Sequence, residues 1–86
     1  MLWSKVIIGT TKLEAISGSA LMNKFAPAFR AAGMPQDAKV YLINSTSDHI
    51  FYFNPAASVI AKEILIDFNA TTCEDPNLDD LKPLKI

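Results

Sequence analysis

The sequence predicts an α+β domain in two layers, an antiparallel-dominated sheet of three or four strands with two helices on one face. Three observations carry this reading. Lys39-Val40-Tyr41-Leu42-Ile43-Asn44 and His49-Ile50-Phe51-Tyr52-Phe53 are β-branched, aromatic and aliphatic runs, and Ser45-Thr46-Ser47-Asp48 between them is a cluster of turn formers, which together spell a hairpin. Asn54-Pro55 follows at once as a helix start: the Asn side chain can accept from the first free amides, and Pro loses nothing where the N–H is unpaired anyway. Residues 19–32 repeat apolar side chains with helical period.

Each element has a local reason. In the second helix, stepping ~100° per residue gathers Ala57, Ile60, Ala61, Ile64, Leu65 and Phe68 on a core face, and Val59 and Ile66 fall almost opposite it. Both should therefore be exposed unless something covers them. In the first helix Leu21, Met22, Phe25, Ala28, Phe29 and Ala32 share one side, Ser17 or Ser19 can cap the start, and Gly33 with Pro35 stops it. Pro27 inside it predicts a kink or a fresh start on the solvent side. Lys5-Val6-Ile7-Ile8 reads as a strand, and Lys12-Leu13-Glu14-Ala15-Ile16 alternates like a second one after the turn Gly9-Thr10-Thr11. The leading order is then β(β)αββα. A single strand at residues 3–9 and a short last strand at Ala70-Thr71-Thr72-Cys73 give the alternative, the βαββαβ order of a ferredoxin-like fold.

Composition limits the function. With 86 residues there is one small domain, assigned to residues 1–73, followed by an acidic, Pro-containing tail at 74–86 whose Leu78, Leu81, Leu84 and Ile86 should dock on the domain or on a neighbouring subunit. Eight basic against nine acidic side chains give a net charge of −1, without the cationic footprint that phosphate-backbone binding needs, so nucleic acid is not an expected partner. No apolar run reaches membrane-spanning length and the first residues do not look like an export signal, so a cytoplasmic protein without membrane contact is expected. The single cysteine, Cys73, excludes an intrachain disulfide and a cysteine-built zinc site.

Chemistry-bearing constellations are few, and neither a cofactor nor a metal is expected. A His49–Cys73 dyad would have to unite two distant positions. Asp48 and His49, adjacent on a strand, point to opposite faces and do not share an ion. Glu74, Asp75, Asp79 and Asp80 lack the spacing of a calcium loop and read as a solvated tail. Gly9-Thr10-Thr11-Lys12 lacks the second glycine of a phosphate-binding loop and reads as a turn. Asn44-Ser45-Thr46 and Asn69-Ala70-Thr71 match the glycosylation pattern, which is expected to have no consequence because export is not expected. Phe51-Tyr52-Phe53 is an aromatic strand of the core or of an interface, since base stacking would require nearby cations.

What stands out is an excess of apolar surface over what two helices can cover. It predicts a non-catalytic interaction module, most simply a homodimer or a dock for a protein partner, with Val59, Ile66, Tyr41, Ile43, Phe51 and Phe53 as interface residues. The rival reading is a small-molecule binder or minor enzyme with His49, Tyr41 and Tyr52 lining a pocket between the sheet and the first helix.

Overall fold

The computed structural model describes residues 2–9, 18–44 and 48–84. Its elements run β1 (Trp3–Gly9), α1 (Gly18–Ala31), β2 (Val40–Asn44), β3 (Asp48–Phe53), α2 (Pro55–Ile64), β4 (Thr71–Cys73) and β5 (Lys82–Leu84), with 3₁₀ turns at Ile66–Phe68 and Leu78–Asp80. One antiparallel sheet of five strands, in the order β4-β1-β3-β2-β5, carries two helices. The α+β class matches the expectation; the strand number and order match it only in outline. Elements β1 to β4 follow the βαββαβ order, and β5 is a strand that the expectation lacked. The second strand proposed at Lys12–Ile16 and the turn at Thr10–Lys12 lie outside the described residues.

Strand register separates two faces. Val6 pairs with Phe51 and Phe51 with Leu42, while Ser4, Phe53 and Val40 form the row beside them. These residues point to the helices. Val6, Ile8, Val40, Leu42, Phe51 and Phe53 are buried together with Phe29 of α1, Ala57 and Ala61 of α2, and Leu65. Phe29 stacks on Phe53 with ring centroids 5.9 Å apart. The stripe of α1 is narrower than its periodicity suggested: Ala26 is buried, whereas Ala28 and Ala32 are exposed. Pro27, also exposed, is accommodated within a single helix. Gly33, at φ 79°, ends that helix where a side chain would be strained.

Asn54 joins the layers at the start of α2. Its Oδ1 accepts from the Ala57 and Lys39 amides at 3.1 and 2.9 Å, and its Nδ2 donates to the Asp37 carbonyl at 2.8 Å. One side chain thus caps α2 and fixes the approach to β2. Asn54→Ala should cost about 2 kcal/mol, more than an ordinary cap, because the bonds to the α1–β2 connection go with it. Urea denaturation checks this, and a loss below about 0.5 kcal/mol would show that water replaces all three bonds equally well.

Residues 74–84 are not a free tail, because Leu84, Pro83 and Lys82 pair with Val40, Tyr41 and Leu42. Strands β4 and β5 occupy opposite edges of the sheet, four strand spacings or ~19 Å apart. Cys73 stands opposite Trp3, whereas Lys82 stands opposite Leu42, in the row of Phe51 and Val6, so the chain must also shift ~10 Å along the strands. Nine residue steps that include a 3₁₀ turn reach only about 26 Å, which leaves no room for a detour. The segment therefore crosses the sheet diagonally, over the face that the helices leave open. Leu81 is extended and precedes Lys82, whose partner Leu42 faces the helices; by alternation Leu81 turns toward the open face. It is 9% exposed, and Trp3, on that same face, is 8% exposed. Trp3 also meets Tyr41, with centroids 5.6 Å apart.

Candidate functional site

The open face is a ladder of alternate residues. Lys5, Tyr52, Tyr41 and Pro83 form one row, and Ile7, Ile50 and Ile43 form another. The Lys5 ammonium sits 5.7 Å from the centre of the Tyr52 ring, so its charge lies along the sheet rather than away from it. The diagonal segment crosses this face and leaves its isoleucine corner uncovered: Ile7, on the outer side of the isoleucine row, is 49% exposed. At the end of the β2–β5 edge, residues from both faces, Ala38, Lys39, Val40, Tyr41, Pro83 and Leu84, line a cleft of about 260 Å³. That volume is just below the ~300–1,000 Å³ usual for small-molecule pockets. Leu78 rides on the crossing segment and is 47% exposed.

Placement of the sequence-derived residues is mixed. Val59 and Ile66 are 67% and 69% exposed on the outer side of α2 and the turn after it, as their helical angles require. Tyr41 and Ile43 lie on the open face, half-buried. Phe51 and Phe53 are fully buried against the helices, so they leave the candidate surface. The reason is parity: in β3 the odd positions face the helices, and Ile50 and Tyr52 face the open side. Parity also divides the proposed ligand set. His49 faces the helix layer, while Tyr41 and Tyr52, partners across β2 and β3, lie on the other side of the sheet. The three residues do not line one pocket. His49 and Cys73 are likewise apart, on opposite faces and at opposite ends of β1, beside Ile8 and Trp3 respectively.

Cys73 is half-buried at the edge strand, and burial pushes its thiol above the ordinary value; Lys5 opposes that rise, and Glu74 and Asp75 add to it. It is thereby a poor nucleophile at neutral pH. Among the described residues no group of three or more His, Cys, Asp or Glu is placed to hold a metal ion, and no helix is long and apolar enough to cross a membrane. Sequence reasoning missed the hydrogen bond between the hydroxyls of buried Ser4 and half-buried Ser58, which joins β1 to α2. It also missed Ile7 and Ile50 as surface candidates. The signal for Ile7 was present in the alternation of β1, but its meaning depended on knowing that β3 is its neighbour.

Comparison with protein-family models, with curated proteins and with solved structures finds no match for this chain.

Proposed function

We propose that the protein is a non-catalytic interaction module that self-associates through the uncovered isoleucine corner of its sheet. The observation that carries this reading is a ridge beside a recess. The crossing segment carries the exposed Leu78, and Ile7, beside its half-buried row partner Ile50, lies exposed to one side. A two-fold axis makes such a surface self-complementary, since residue i of one copy meets residue j of the other and the reverse. Leu78 of each copy then enters the Ile7/Ile50 recess of its partner. Val59 on α2 and Ile66 in the turn after it lie on the helix layer, away from this surface.

Sedimentation equilibrium at micromolar concentration tests the reading. The natural chain should behave as a dimer, and Ile7→Glu should weaken association at least about a hundredfold, because it buries a charge without a partner. Val59→Glu is the control and should leave the dimer intact. A natural chain that is monomeric at these concentrations removes the reading; a monomer produced by Val59→Glu and not by Ile7→Glu moves the interface to α2.

A further inference from the structure

One buried polar side chain lacks a counterpart among the described residues. His49 faces the helix layer from the end of β3 nearest the hairpin turn, between Ile8 and Asn44. It is 6% exposed, and neither ring nitrogen meets a hydrogen-bond partner. An imidazole buried in this way costs ~1–3 kcal/mol unless something polar accompanies it.

The chain path shows what lies above it. Phe29, near the end of α1, stacks on Phe53, and α1 then leads to Val40 in that same row of the sheet. The helix therefore ends over the Phe53 end of the sheet and begins toward the other. From Phe29 back to Gly18 is ~16 Å of helix, and from Phe53 back to His49 is ~13 Å of strand. The first turn of α1 accordingly starts over the His49 row. Its first backbone amides, which have no partner within the helix, and the positive end of the helix dipole point out of that turn, and the turn holds no acidic side chain.

We propose that His49 and the first-turn amides of α1 bind a small tetrahedral oxyanion, the phosphate group of a free ion or of a small phosphomonoester. The donors come from two elements and two directions, and a ligand with several acceptor oxygens satisfies both. The bound anion gives the imidazole an acceptor and neutralises the helix terminus. This site faces the helices and shares no residue with the self-association surface, so either can fail without the other.

The full chain contains one histidine, so its ring signals in NMR are unambiguous. Titration with inorganic phosphate at constant ionic strength should displace the His49 ring signals saturably and raise the unfolding temperature. Sodium chloride should do neither. His49→Phe should abolish the thermal response, reflecting affinity reduced at least about tenfold. Ring signals indifferent to phosphate overturn the proposal, as does an unchanged thermal response in His49→Phe. If that variant does not fold, the ring titration of the natural chain decides alone. Phenyl phosphate in a parallel arm separates the sources: a matching response assigns the site to phosphomonoesters, and a response to inorganic phosphate alone assigns it to the free ion.

Discussion

Phe53→Ala should destabilise the protein by about 4 kcal/mol, the largest loss expected from any single substitution here. The side chain is fully buried on the helix-facing side of the central strand β3, and its ring stacks on Phe29. Truncation removes the transfer term, leaves a cavity and breaks the aromatic pair, which by itself contributes ~0.5–1.5 kcal/mol. An 86-residue domain starts near the low end of the usual ~5–15 kcal/mol, so this variant should be partly unfolded at room temperature. Tyr52→Ala, one position away on the open face, should cost far less, about 1–2 kcal/mol. Urea denaturation of the pair decides the assignment of faces. Equal losses would mean that β3 does not present its odd positions to the helices.

The second large effect concerns the crossing segment. A chain ended after Cys73 should lose about 4 kcal/mol, from burial of Leu81, from the cover over Trp3 and from the β5 ladder. Trp3 is the sole tryptophan, so its emission should shift to the red as water reaches it. Leu81→Ala is the milder form: it keeps the backbone path and should cost about 2–3 kcal/mol with a smaller shift. An unchanged emission and an unchanged denaturation midpoint in the shortened chain would contradict the diagonal path. The boundary drawn at residue 73 from composition would then mark a separable tail; the pairing of Lys82–Leu84 with β2 argues for one unit instead.

The difference between those two boundaries shows where sequence reasoning succeeds. Residues 39–68 were readable because their signals are local: a turn between two β-rich runs, an Asn-Pro helix start, and a 3.6-residue stripe that leaves Val59 and Ile66 outside. The strand at Lys82–Leu84 was not readable. It has three residues, one of them proline, and is a strand only because the edge of β2 is available to it; Pro83 is tolerated there as at other sheet edges. The candidate surface failed for a related reason. Composition showed an excess of apolar side chains but not which of them share a face, so Phe51 and Phe53 were grouped with Tyr41 and Ile43. A count of parity within β3, anchored by Phe53 next to the helix start at Asn54, would have separated them.

The placement of β1 inside the sheet, between β4 and β3, sets the tempo of folding. Its neighbours come from residues 48–53 and 71–73, and the Thr71 hydroxyl that bonds the Lys5 carbonyl lies 66 positions further along the chain. Of the strand pairings described, only β2 with β3 closes a short loop. That hairpin is the natural nucleus, and everything else must wait for distant segments to find it. Refolding should consequently fall in the slow range of small mixed domains, nearer milliseconds to seconds than microseconds, despite the modest size of the protein.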